Sequence, residues 1–164
     1  MKTLLIVRHA KSSWQEVGLS DFDRPLNDRG KEDAPRMAQK LLDKKIKIDC
    51  FISSPAKRAQ KTAKLFMKEY DTKKEELILV PSLYEASSKN FYAVIENFDD
   101  DCTTAAIFSH NPGITDFVNS LTEYSTDNMP TCAVFAVSID IKKWKHFKEG
   151  RKSLLFFDFP KNPD

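Results

Sequence analysis

Short runs of apolar, often β-branched residues alternate along this chain with segments whose apolar residues recur at helical spacing. Thr3–Val7, Cys50–Ser53, Leu77–Val80 and Thr104–Ser109 read as strands, the third of them stopped by Pro81. Between the first two, Ala34, Met37, Ala38, Leu41 and Leu42 lie at offsets 0, 3, 4, 7 and 8, one face of a helix, with Pro35 inside it as a late start or a kink. Ser54-Pro55 reads as an N-cap followed by proline at the first helical position, leading into a stripe of Ala59, Ala63, Phe66, Met67 and Tyr70. Phe91, Val94, Ile95 and Phe98 form a third stripe, and Asn111-Pro112 opens a fourth helix with Ile114, Phe117, Val118 and Leu121 inward. Cys132–Ile139 and Ser153–Phe159 are two further strand-like runs joined by a polar segment. Strands alternating with amphipathic helices predict an α/β fold, a three-layer α/β/α sandwich with a mostly parallel central sheet. With 164 residues, and neither repeat nor linker, residues 1–164 are expected to form a single domain.

Composition narrows what such a domain can do. There are four glycines, and the closest pair, Gly18 and Gly30, is twelve positions apart. Glycine-rich nucleotide loops need close-set glycines, so phosphate, if handled at all, must be held mainly by side chains. Lys plus Arg number 26 against 24 Asp plus Glu, a net charge of +2, too balanced for bulk attraction to nucleic acid or membrane. Cys50, Cys102 and Cys132 are an odd number set far apart, and read as neither a C-x-x-C pair nor a disulfide framework. No signal-peptide or membrane-length apolar stretch is present, so the expected location is the cytoplasm.

In open α/β sheets, ligands bind beyond the carboxyl ends of the strands. Arg8 and His9 follow the first strand, and Arg58 falls in the first turn after the second. Glu85 follows the third, and His110 and Asn111 the fourth. Two histidines, two arginines and a glutamate on one sheet edge suit phosphoryl transfer. Guanidinium groups match phosphate oxygens, and neutral imidazole is a nucleophile near pH 7, kept neutral in part by neighbouring cations. A second imidazole can donate to developing charge, and a carboxyl can protonate a leaving oxygen. Three dispersed histidines without paired carboxylates argue against a dedicated metal site, and no cofactor is expected.

These residues sit in an ordered set of motifs. Leu5-Ile6-Val7-Arg8-His9-Ala10-Lys11-Ser12 resembles the R-H-G/A (here RHA) signature of the histidine phosphatase superfamily, in its phosphoglycerate mutase-like branch 1. Arg24-Pro25-Leu26 with Arg29-Gly30 resembles the segment leading into that family's first helix. Ser53-Ser54-Pro55, Arg58-Ala59 and Thr62-Ala63 resemble its S-S-P-x-x-R-A-x-x-T-A motif, and Ser109-His110-Asn111 its second-histidine motif. The resemblance runs in order from Lys2 to about Ile114. It implies His9 as a nucleophile that becomes phosphorylated, with Arg8, Arg58 and His110 as the phosphate pocket. It aligns Glu85 with the general acid and Gln15 with a phosphate contact. Ala10 replaces the glycine of many members, a subgroup trait unless the position needs a positive φ.

Arg58 and His110 are 52 positions apart, leaving no room for the lid-forming insertion of mutase-type relatives. The chain therefore resembles the compact SixA-type phosphohistidine phosphatases, and the resemblance implies a metal-independent phosphatase acting on phosphohistidine in proteins. Two alternatives stay open: a phosphatase for a small phosphorylated metabolite, and a non-catalytic phosphate-binding module. The partner is thus a phosphorylated protein or metabolite, with no nucleic acid and no membrane, and the oligomeric state is left unassigned. His146 reads as an exposed residue. Lys142–Lys148, with Arg151 and Lys152 beyond, is a basic-aromatic cluster of a kind that can bind nucleic acid or an acidic partner. The reading adopted is a solvated connection with Trp144 and Phe147 folded onto the core.

Overall fold

The computed structural model describes residues 1–15 and 17–162. Six strands form one sheet: β1 (Lys2–Arg8), β2 (Cys50–Ser53), β3 (Ile78–Leu79), β4 (Thr104–Ser109), β5 (Val134–Ile139) and β6 (Lys152–Asp158). Their order across the sheet is β3-β2-β4-β1-β5-β6. The first four strands in that order run parallel, while β5 is antiparallel to β1 and β6 antiparallel to β5. Helices α1 (Asp28–Asp43) and α2 (Lys57–Glu69) cover one face. Helices α3 (Ser88–Glu96) and α4 (Gly113–Asn119) cover the other.

The two covered faces explain the uninterrupted apolar run of β1. Leu5 and Val7 pack with Met37, Ala38, Phe66 and Met67 under the first helix pair. Leu4 and Ile6 point the other way, into a core with Phe91, Ile95, Phe117 and Val118. Both faces of the central strand need apolar side chains, so alternation disappears. The expected three-layer α/β sandwich is what the chain forms.

Several local expectations are corrected. Helix α1 begins at Asp28, capped by the Asn27 side chain, so Pro35 lies well inside it and marks no late start. Helix α2 begins at Lys57 after Ala56, which gives no side-chain cap, so Ser54-Pro55 is not a helix cap. The third strand is two residues long, and its Ile78 and Leu79 are exposed at the sheet edge. Cys50 and Cys102, read as unrelated, form a disulfide with Cα atoms 6.1 Å apart. Parallel pairing of Cys50 with Ala105 brings these two positions together across 52 residues of chain. Trp144 and Phe147 are fully buried, as expected of a folded-back connection, and Lys145 and His146 between them are exposed.

Candidate active site

The carboxyl ends of β1, β2 and β4 open into a cavity of about 720 Å³. Arg8, His9, Arg58, Glu85 and His110 all line it. The rings of His9 and His110 have centroids 5.2 Å apart. Gln15 is exposed and lines a separate surface groove, so it is not gathered with the others.

His9 follows the last residue of β1 and is buried. Its Nδ1 lies 2.7 Å from the carbonyl oxygen of Ala10, a partner that can only accept. The proton therefore sits on Nδ1, and the Nε2 lone pair faces the cavity side, 3.4 Å from Arg58 Nε. Ala10 is held in turn: its N–H donates to Thr62 Oγ1, whose hydroxyl donates to the Arg58 carbonyl oxygen. The Thr62 position of the motif thus ties the strand end beside His9 to α2. Ala10 has an ordinary negative φ, so it strains nothing in place of glycine.

His110 reaches the same tautomer by a different contact. Ser54 Oγ accepts from the Ala56 N–H, and His110 Nε2, 2.7 Å away, is the one acceptor for its hydroxyl among the described residues. The His110 proton then resides on Nδ1. That atom is buried without a partner. Among the described residues, the buried side-chain nitrogens with no hydrogen-bond partner are His110 Nδ1, Arg8 Nε and Arg24 Nε. All three residues line this one cavity. Buried polar atoms in native folds are normally satisfied, so three such residues around one cavity set it apart from the rest of the described interior.

Burial is the largest influence on both imidazoles. It holds His9 well below its ordinary range, with the His110, Arg58 and Arg8 charges adding to the effect and the Ala10 carbonyl opposing it. His110 is pushed down to about 3, by burial first and by Arg58 next. Cationic neighbours do keep His9 neutral as expected, but they are secondary to desolvation.

One residue that the sequence did not signal is central to the site. Asp21 lies in a 3-10 turn (Asp21–Asp23) ahead of α1. Its backbone oxygen accepts from Arg58 Nη1 at 2.6 Å and its Oδ2 from Nη2 at 3.0 Å. Tyr84 donates to the same carboxylate at 2.7 Å, and Arg24 pairs with it at 3.1 Å. Burial works against the charge, yet Tyr84, Arg24 and Arg58 outweigh it and hold the carboxyl well below its usual range. With Nε also on His9, three of the five N–H bonds of Arg58 are committed and two remain for a ligand. Arg24 donates to Ser12 Oγ and its guanidinium stacks 3.6 Å from the Trp14 ring centroid at the exposed rim. Nothing in the local pattern around Asp21 marks these partners, because Arg58 is 37 and Tyr84 63 residues away.

Glu85 is exposed at the rim in the left-handed backbone region, φ 56°. Gly113 fixes this loop beside His110. A Cβ on it would lie 1.8 Å from the Ala86 carbonyl oxygen, a distance no side chain tolerates.

A family model described as histidine phosphatase superfamily (branch 1) matches residues 4–92 of the chain. A chloroplast protein of Arabidopsis thaliana is 30% identical over 120 residues, covering 68% of this chain and 55% of that protein. A 2,3-bisphosphoglycerate-dependent phosphoglycerate mutase of Bartonella henselae is 33% identical over 86 residues, covering 51% of this chain and 42% of the mutase. The matched stretch therefore spans about half the length of each of these two relatives. A SixA structure from Agrobacterium tumefaciens superposes with a TM-score of 0.81 at 22% identity, covering 97% of this chain and 98% of that one. A protein histidine phosphatase SixA complexed with tungstate gives 0.81 at 20% identity, over 96% and 97%.

Proposed function

The chain belongs to branch 1 of the histidine phosphatase superfamily, and from that premise we propose that it is a phosphatase working through a phosphohistidine on His9. The observation that carries the reading is the convergence of three arginines (Arg8, Arg24 and Arg58) and His110 on one cavity with His9. The tungstate held by a fold neighbour is a tetrahedral oxyanion of the size and shape this donor set suits.

In the first step the Nε2 lone pair of His9 attacks phosphorus in line, and the bond from phosphorus to the leaving group breaks. Arg8, Arg58 and the Nδ1–H of His110 hold the equatorial oxygens. In the second, water attacks the phosphohistidine, releasing inorganic phosphate and restoring neutral His9. The Ala10 carbonyl, accepting from Nδ1–H, stabilises the cationic imidazole that forms between the steps. Glu85 sits at the rim, where a leaving oxygen would depart, and serves as its general acid. No metal takes part in this scheme.

The substrate we favour is phosphohistidine carried on another protein. Between Arg58 and His110 the chain builds only the rest of α2, short turns, β3, α3 and β4, with no inserted segment to roof the cavity. The rim residues Trp14, Asp21 and Glu85 are exposed. An imidazole leaving group is protonated readily near pH 7, which lessens the demand on Glu85. The alternative, a small phosphomonoester, is favoured by the cavity volume of about 720 Å³, within the range of small-molecule sites.

Rapid quenching with a labelled substrate, followed by mass spectrometry, is expected to find phosphate on His9. A His9→Ala protein with full activity would overturn the mechanism, and so would activity lost to EDTA and restored by a divalent metal. Parallel assays on a phosphohistidine peptide and a panel of phosphomonoesters choose between the substrates. Phosphate binding without turnover of either would establish a binding module.

A further inference from the structure

On the far side of the Asp21–Asp23 turn from the active site lies a second groove of about 600 Å³. The turn is a shared wall. Asp21 and Arg24 face the catalytic cavity, while Phe22 and Asp23 line the groove. The Phe22 ring packs edge-on against Tyr84, 5.2 Å between centroids, and Tyr84 lines the cavity. The other wall is α2, which turns Arg58 toward the catalytic cavity and Lys57 toward the groove.

The chemistry of this groove is one-sided. Lys57, Lys61 and Lys64 lie at offsets 0, 4 and 7, one face of α2, and Lys31 of α1 stands across from them. Asp23 is the single acidic side chain among its described lining residues. None of the four lysines forms an ion pair among the described residues. Like charges one turn apart disfavour a helix, so this arrangement costs the free protein something and gains only when an anionic partner covers it. Pro25, Leu26 and Pro55 supply an apolar component.

We infer that this groove docks an acidic, partly apolar segment of the protein whose phosphohistidine enters the neighbouring cavity. The inference rests on the phosphoprotein reading above and adds to it a determinant of partner choice. Carboxylates on the partner meet the ammonium groups, and an apolar side chain meets Pro25 and Pro55. Single-stranded nucleic acid fits less well, because its bases need aromatic platforms and Phe22, packed on Tyr84, is the one aromatic ring among the groove's described lining residues. Exposed charges act chiefly on encounter rate and partner discrimination, so the effect must fade with salt.

The test uses two peptides of equal length carrying one phosphohistidine, flanked by four glutamates in one and four glutamines in the other. The wild type is expected to show a kcat/KM about tenfold higher for the glutamate peptide, shrinking toward one at high salt. In the triple variant Lys57→Glu, Lys61→Glu, Lys64→Glu, at two exposed positions and one half-buried one, the preference disappears or inverts. Hydrolysis of the small substrate phosphoramidate stays at the wild-type rate, which reports an intact catalytic site. Equal turnover of both peptides by the wild type overturns the docking inference while the phosphohistidine reading stands. If neither peptide is hydrolysed but a phosphomonoester is, the phosphohistidine reading falls. Anisotropy of the unphosphorylated glutamate peptide then decides docking: binding lost in the triple variant supports it, and no binding overturns it. Tighter binding of a single-stranded oligonucleotide than of the glutamate peptide also overturns it.

Discussion

The same strands carry buried charge at both ends, and the two ends treat it in opposite ways. At the amino end of β1, Lys2 is buried, yet its Nζ donates to the carbonyl oxygens of Asp100 and Cys102 at 2.5 and 3.1 Å. Trp144 completes the cluster, donating from Nε1 to Cys102 O at 2.7 Å and from its backbone to Asp100 Oδ1 at 2.8 Å. Asp49 accepts two backbone N–H groups beside it. At the carboxyl end, Arg8, Arg24 and His110 each keep a buried nitrogen without a partner. The left-handed residues Glu85 and Cys132 follow strand and turn at that end too. One end is arranged for closure and the other for a ligand. Buried charge alone therefore does not mark a site; the unmet hydrogen-bonding capacity does.

The contrast makes quantitative demands. His9→Ala is expected to lower kcat by at least about a thousandfold, since it removes the proposed nucleophile, with thermal stability unchanged or raised. Steady-state rates and a melting curve on one preparation check it. Lys2→Met at the other end should do the reverse. Loss of its hydrogen bonds to two carbonyls costs about 1–3 kcal/mol in urea unfolding, while kcat and KM of the folded enzyme hold. A catalytic defect of similar size would erase the distinction between the ends.

Asp21→Asn keeps the shape of the turn but removes the charge that holds Arg58. A fall of about tenfold in kcat/KM is expected, carried mainly by kcat, because a misaimed guanidinium fails the transition state first. Asp21→Glu should recover part of it. A rise in activity instead would show that Asp21 competes with phosphate for Arg58.

The smallest effect is on pH dependence. His9 and His110 take up protons near pH 6.5 in the unfolded chain but resist doing so when folded, His110 down to about 3. The unfolded state then binds more protons, so their contribution to stability is complete above about pH 6.5 and is lost as pH falls below it. Urea midpoints at stepped pH should decline in that window, by at most ~1.4 kcal/mol per histidine per unit. Added inorganic phosphate, which favours imidazolium, should flatten the decline. A midpoint independent of pH between 6.5 and 4 would contradict neutral buried histidines.

How much of this was legible beforehand follows a physical line. β2 and β4 are read from sequence at their observed bounds because both are short, apolar and closed by polar residues. Their carboxyl ends then place Arg58 and His110, and β1 places Arg8 and His9. Ser54 misleads because serine before proline has a local meaning as a helix cap, whereas here its hydroxyl serves an imidazole 56 residues away. The Cys50–Cys102 bond, the Arg58–Asp21 pairing and the Tyr84 contact escape for the same reason: spacing rules describe neighbours along a helix or strand, and these partners meet only after the sheet is assembled. Glu85 arrives at the cavity through a left-handed turn that no periodicity reports. Gln15, taken from the resemblance, lies in a segment whose path through space the motif does not constrain.

The position of β1 bears on the order in which a working molecule comes into being during synthesis. β1 precedes the other five strands and leads into the proposed nucleophile His9, yet its two neighbours in the sheet are β4 and β5, so Thr3 faces Thr104 on one side and Ser138 on the other. A growing chain that has emerged through α2 already holds His9 and Arg58 but has no partner for β1 and no His110. Until β4 is outside the ribosome, the apolar strand stays unpaired, vulnerable to wrong associations. Catalysis cannot precede folding here: the reaction centre appears only when the long-range closure of the sheet is complete, and a stalled fragment is inert.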